Sequence, residues 1–253
     1  MYCLHSMRTS LVSLAKKMKK HLYFSCCGLI VFAFSSCSTK TKEQSKVEEV
    51  QKSTIELFTD KVAAAHGFKQ WSKVEEISFS FNVSRANGNT FSRFWMWQPK
   101  SNKVASIQDK DTIWYNRNQE LDSLENRLNA GFTNDKFWLL TPFNLIWDRG
   151  NYKATLSESS SSPVENKSYT KLTIIYGQEG GYTPGDAYDF YIDQNYIVRE
   201  WTFRRGNQAE PNISSACKDY IEIGGLRLAQ NYARTNNERA LFFSDLKVET
   251  SQK

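Results

Sequence analysis

The chain has 253 residues, with 33 Lys plus Arg against 27 Asp plus Glu and a formal net charge of +6. Five of the basic residues (Arg8, Lys16, Lys17, Lys19, Lys20) precede residue 37 with no acidic residue among them, which leaves 28 basic against 27 acidic residues in the remainder. A nucleic-acid protein carries its basic excess on the folded part, so that partner class is excluded.

The first readable element lies at 18–37, "MKKHLYFSCCGLIVFAFSSC". Its apolar run, Leu22 to Phe34, is 13 residues long, against the roughly 20 needed to span a bilayer. Two lysines followed by a run of this length read as a secretory signal. Phe34-Ser35-Ser36-Cys37 resembles the lipobox of bacterial lipoproteins, with Phe where Leu is usual. That resemblance makes residues 1–36 a signal peptide, Cys37 the lipidated residue and 37–46 a polar tether. A plain cleaved signal and a buried helix are the alternatives. Met18 starts a compact signal by itself and is the expected true start, ahead of Met7. Ser38 is not the aspartate that retains some lipoproteins in the inner membrane, which favours the outer one. Cys3, Cys26 and Cys27 leave with the leader and Cys37 carries lipid. Cys217 then has no partner, and no disulfide framework is expected.

The fold is expected over 47–253. Val47, Val50, Ile55, Phe58, Val62 and Ala65 recur at helical spacing, and Gly67 stands where a helix-ending glycine belongs. A short helix over "FKQWSKV" follows. The period then switches to two: Ile77, Phe79, Phe81 and Val83 alternate with Ser78, Ser80, Asn82 and Ser84, the mark of a half-buried strand with the apolar set inward. Asn87-Gly88 predicts a type I′ turn into a strand "TFSRFWMWQ". There Phe91, Arg93, Trp95 and Trp97 share one face and Phe94 and Met96 the other. Strands are predicted at 103–108 and 112–116, one or two helices over 118–148, and strands again at 151–157, 169–177, 187–192, 196–204, 218–223, 226–234 and 240–249. Between them "SESSSSSPVENKS" reads as flexible, while Asp193, Gly224-Gly225 and Asn236-Asn237 read as turns.

These elements give a mainly β (α+β) class: a single curved antiparallel sheet of about eleven strands, joined as a meander. One apolar face must be covered, and the helices at 47–66 and 118–148 are the elements available. The expectation is a half-open barrel with a helical lid and a hollow that its own side chains leave partly unfilled.

This element order resembles the LolA/LolB-like superfamily of envelope lipoprotein carriers and receptors. The most specific stretches are "AAAHGFKQWSKVEEISFSFNV", "YDFYIDQNYIVREWTFRR" and "YIEIGGLRLAQNYAR". The resemblance implies that an acyl chain or lipoprotein tail binds on the concave face, without catalysis, in the outer membrane and facing the periplasm. It also implies an arginine that controls the lid, for which Arg93, Arg199 and Arg204 are candidates. The expected ligand-lining residues are Ile77, Phe79, Phe81, Val83, Trp95, Trp97, Trp138 and Trp147, in a chain whose seven tryptophans serve either as core or as cavity wall.

Other chemistry is thin. His66 is the one histidine after the leader. It reads as a partly charged cap at a helix C-terminus, not as a metal ligand or triad base. Cys217 reads as a buried, inert thiol. "GQEGGYTPGD" lacks the Lys-Ser/Thr of a phosphate loop and reads as a rim loop. Asp186, Asp189 and Asp193 read as turn or solvent-face residues. No cofactor, metal or catalytic set is expected. A structural or protein-interaction lipoprotein with a closed core is the main alternative, and a hydrolase built on spatially assembled carboxylates is a more distant one. The sequence leaves a protein partner open and does not reveal the oligomeric state.

Overall fold

The structure is a computed structural model that describes residues 54–85, 87–108, 111–234 and 241–251. All lie in one compact unit, Glu43–Lys253. The expected signal, Cys37, the tether, the start of the first helix and the Asn236-Asn237 turn lie outside the described residues.

Eleven antiparallel strands form one open sheet. They are β1 (Val74–Ser84), β2 (Thr90–Gln98), β3 (Lys103–Gln108), β4 (Asp111–Asn116), β5 (Tyr152–Ser161), β6 (Ser168–Tyr176), β7 (Ala187–Ile192), β8 (Val198–Arg204), β9 (Ile213–Ile223), β10 (Leu226–Ala233) and β11 (Leu241–Thr250). Their spatial order is β4-β3-β2-β1-β11-β10-β9-β8-β7-β6-β5. The expected pure meander is therefore corrected. The chain makes one meander from β1 to the β4 edge and crosses to the opposite edge. A second meander then runs inward until β11 pairs with β1 at the centre.

The crossing segment contains the helices. α2 (Ser123–Leu139) and α3 (Thr141–Trp147) follow α1, which covers 54–65 of the described residues. The start of α2 is written in "DSLE". Asp122 accepts from the backbone of Leu124 and Glu125 at 2.7 and 2.8 Å, and Glu125 returns to the Asp122 N–H at 3.0 Å, a reciprocal capping box. α3 begins immediately, with Pro142 in its first turn, where a missing N–H costs no helical bond.

α1 ends at Gly67, as expected, with φ of +88°. A Cβ there would lie 2.1 Å from the Gly225 carbonyl oxygen, so the helix end is pressed onto the β9–β10 hairpin. The His66 carbonyl accepts from the Arg227 N–H at 3.0 Å. The FKQWSKV stretch is a 3₁₀ turn, Phe68–Lys73.

Two turn expectations change. Gly88 has φ of +80°, its N–H bonds to Arg85 O at 3.0 Å, and the Arg85 N–H bonds to Asn89 O at 2.8 Å. This is a three-residue loop with a left-handed glycine. The type I′ pattern appears at Gly224-Gly225, where both φ values are positive between paired Ile223 and Leu226. The "flexible" serine run is also ordered. β5 extends to Ser161, because the fully buried Glu200 accepts from Ser162 Oγ and from the N–H groups of Val164 and Glu165 at 2.6–2.9 Å.

In β1, Ile77, Phe79 and Phe81 face the helices, and Ser78, Ser80 and Asn82 on the outer face are buried too. Ser80 donates to Asp245 at 2.7 Å and Asn82 to Ser244 at 3.1 Å, so strand β1 is covered on both sides instead of being half-buried.

The hollow between sheet and helices is filled. Phe132, Phe137, Leu139, Leu140, Phe143 and Leu145 of the helical segment are almost wholly buried against it. Phe132 meets Trp95 and Trp97 at centroid distances of 5.6 and 5.5 Å, and Trp138 meets Trp201 at 4.3 Å. Tyr232 Oη donates to the Trp138 carbonyl at 2.6 Å. Among the described residues the expected unfilled hollow is not seen, because both layers supply large aromatics, which interdigitate at the edge-to-face distances such rings prefer.

Candidate functional site

The residues expected to line a ligand lie in this interface. Ile77, Phe79 and Trp95 are fully buried, Phe81, Trp97 and Trp138 nearly so, and Val83 and Trp147 partly. The structure brings Trp97 and Trp147 together at 6.3 Å, joined by Trp71 at 5.4 and 5.0 Å. Trp138 belongs to a separate aromatic group with Trp201 and Tyr232. The inward face of β2 is the Arg93–Trp95–Trp97 face.

One polar cluster interrupts the aromatic layer. Asp135 of α2 is fully buried. Its carboxylate accepts from Arg93 Nε and Nη2 at 2.8 and 2.5 Å, from Trp95 Nε1 at 2.9 Å and from Asn134 Nδ2 at 2.9 Å. Burial lifts its carboxyl above the usual range, and the Arg93 bonds and charge, then Asn134 and Trp95, oppose that rise. Gly131, one turn earlier, lets the guanidinium approach: a Cβ would sit 3.1 Å from Arg93 Nη1. Of the three candidate arginines, Arg93 is the one bridging sheet to helix. Arg199 pairs with Asp193 in the β7–β8 turn, and Arg204 pairs with Asp189. Asp189 is thus buried in an ion pair, not solvent-facing as expected.

Next to Asp135 on α2, the Lys136 ammonium lies 4.8 Å from the Trp147 ring centre and 5.7 Å from that of Trp97. Burial lowers its pKa to about 8, and the positive charge of Arg117 adds to the effect. Arg117 itself rests 5.3 Å over the Phe132 ring. The sequence reading missed Asp135, Lys136 and Arg117. The signal was present: Leu128, Phe132, Asp135 and Leu139 fall at i, i+4, i+7 and i+11, which puts a carboxylate on the buried stripe.

His66 departs from its expected role. It is 1% exposed, its Nδ1–H donates to Val62 O at 2.8 Å, and its Nε2 has no partner. Burial lowers its pKa to about 4, against the helix-end hydrogen bond and with Arg227 adding to the lowering, so the ring is neutral and caps no charge. Nε2 borders a small cavity of about 10 Å³ shared with Cys217, Tyr220 and Tyr232. Cys217 is buried, as read, and burial pushes its thiol up to about 12. Because His66 must stay neutral when folded, its contribution is intact above pH 6.5 and lost as pH falls toward 4, by about 3 kcal/mol. Urea unfolding at pH 7 and pH 4.5 should therefore show a smaller acid loss for His66→Gln than for the native chain. Equal losses would refute this assignment.

Among the described residues no group of three or more His, Cys, Asp or Glu is placed to hold a metal ion, and no helix is long and apolar enough to cross a membrane. No protein-family profile matches the chain, and no curated protein matches it. Among solved structures, the chain is similar to a DUF1329 family protein from Desulfovibrio piger, with a TM-score of 0.46 and 10% identity over 79% of this chain and 95% of that one. It is also similar to a LolA superfamily protein from Nitrosomonas europaea, with a TM-score of 0.46 and 12% identity over 78% and 94%.

Proposed function

We propose that the chain is a non-catalytic envelope lipoprotein, tied to the outer membrane through Cys37 and facing the periplasm. Its domain takes a hydrophobic ligand, such as an acyl chain or lipoprotein tail, between the concave sheet face and the α2–α3 layer. The closed arrangement described above is then the ligand-free state. Opening lifts α2–α3 and exposes Ile77, Phe79, Phe81, Trp95 and Trp97, with Val83, Trp138 and Trp147 at the margins.

The observation that carries this reading is the Arg93–Asp135–Trp95 cluster. A permanently packed layer gains little from a buried ion pair over apolar residues of similar volume. A layer that separates benefits, because both charged groups regain water when it lifts, and the Arg93 side chain is already 29% exposed. An acyl chain contributes about 0.8 kcal/mol per buried CH₂. Ten methylenes supply roughly 8 kcal/mol toward displacing the helices, before ordering costs.

The filled core favours a second reading, a structural or interaction lipoprotein whose helices never lift. A carboxylate hydrolase is less well supported, since the buried Asp135, Asp189 and Glu200 are each engaged by structural donors. Native mass spectrometry of the mature protein purified from cell membranes separates the first two. The expected result is a co-purifying lipid mass. An empty domain bound stoichiometrically to another protein would overturn the carrier reading in favour of the second.

A further inference from the structure

Under α2, at the β4 side of the sheet, two buried hydrogen-bond donors lack acceptors. Trp97, Val104 and Tyr115 are successive register partners across β2, β3 and β4, so Trp97 and Tyr115 share the inward face about 10 Å apart. Trp97 Nε1 and Tyr115 Oη are both buried and without a hydrogen-bond partner, on side chains 6% and 4% exposed. Arg117 follows Tyr115 by two residues. Among the described residues its side chain donates to neutral acceptors: Asn129 Oδ1 at 2.7 Å, Asn102 Oδ1 at 3.4 Å and Thr133 Oγ1 at 3.5 Å. Asn129, Thr133 and Lys136 stand at i, i+4 and i+7, on one face of α2, which brings the Lys136 ammonium to the same side, against Trp97 and Trp147.

No carboxylate within ion-pair distance of Arg117 or Lys136 is found among the described residues. The acidic groups acting on this region are otherwise engaged. Asp148, which acts on Lys136, accepts from Tyr176 Oη at 2.7 Å, and Glu125, which acts on Tyr115, closes the α2 capping box. Two like charges, both on partly exposed side chains, thus stand beside two buried, unmade donors. A buried donor left without an acceptor is unfavourable. A surface cleft of about 430 Å³ at the β4 edge meets this region at Tyr115, and its wall also includes Lys103, Trp114 and Glu125.

We infer that Lys136 and Arg117, with Trp97 Nε1 and Tyr115 Oη, form a site for the anionic head group, carboxylate or phosphate, of an amphiphile whose chain lies under α2–α3. An anion is the one ligand class that answers all four groups at once: charge for the two cations, acceptor oxygens for the two free donors, and a planar or tetrahedral oxygen set for the Arg117 fork. The inference rests on the acyl-binding reading and names its ligand class.

Calorimetric titration of the mature protein in detergent tests it with oleate, lysophosphatidate, oleyl alcohol and inorganic phosphate. Oleate or lysophosphatidate should bind at least tenfold more tightly than the alcohol, and whichever of the two binds better identifies the head group. Lys136→Met and Arg117→Gln should each remove most of that preference without weakening the alcohol, while Lys136→Arg keeps it. The preference should also decline as pH rises through about 8, where Lys136 loses its proton. The alcohol binding as tightly as oleate would overturn the head-group site and leave the acyl-binding reading standing. Inorganic phosphate binding as tightly as lysophosphatidate would overturn the amphiphile assignment, and binding by none of the four would overturn both readings.

Discussion

Asp135→Ala should destabilise the domain by about 3–5 kcal/mol, because it strands the Arg93 guanidinium and the Trp95 N–H in a site built to satisfy them. Four donors converge on this one carboxylate from strand and helix. Urea unfolding should show a lower midpoint with an unchanged slope. The double variant Asp135→Leu with Arg93→Met should recover much of the loss, since removing both charges leaves nothing unpaired. A single-variant loss below 1 kcal/mol would mean that the cluster is solvated and does not hold α2 to the sheet. Under the carrier reading the milder Asp135→Asn should also raise apparent acyl affinity, because it increases the fraction of molecules with the helices lifted. A purely structural cluster would leave affinity untouched.

The second large effect is expected at Phe132. It is fully buried, and its ring is held edge-on by Trp95 and Trp97 and covered by Arg117. Phe132→Ala should cost about 3–5 kcal/mol, the lost transfer energy plus the void it leaves. The rings around that void are fixed by other contacts: Trp97 by Trp71 and Trp147, and Trp95 by its bond to Asp135. The space should therefore remain open and dry, and should bind benzene or xenon. Thermal melts with and without xenon pressure read both quantities. A loss under 1 kcal/mol with no xenon stabilisation would show that α2 settles onto the sheet, and that the layer is more plastic than its packing implies.

The strands were legible because their apolar residues alternate. Ile77, Phe79 and Phe81 announce β1, and the returning "TFSRFWMWQ" announces β2, although both faces of that second strand are greasy and only the position of α2 decides between them. The start of α2 is encoded in local chemistry, the "DSLE" box, but the sequence reading placed helices only broadly over 118–148. What period-two reasoning could not supply is which strands meet. The pairing of β1 with β11 joins residues 158 to 176 positions apart, and nothing local in either strand encodes it. Nor could it supply the filling of the hollow. "KFWLLTPFNLIW" reads equally well as a cover over a cavity or as its plug, and the outcome depends on ring-to-ring geometry set by both layers. Asp135 and Lys136 escaped notice because charges inside an apolar cluster are weighed as surface residues until the helical stripe is counted.

The strand order has a consequence for how this sheet comes into being. Strand β1 precedes the other ten strands in the chain, yet its partner on one side is β11, the last of the eleven described strands. During folding the first four strands must wait as a ribbon with one edge open, until β11 arrives to bridge them to the other half. Such late, distant pairing is slow and exposes an unprotected edge meanwhile. A nascent chain of this kind needs shelter until that pairing is made, and clipping β11 would divide the sheet into two halves instead of trimming its rim.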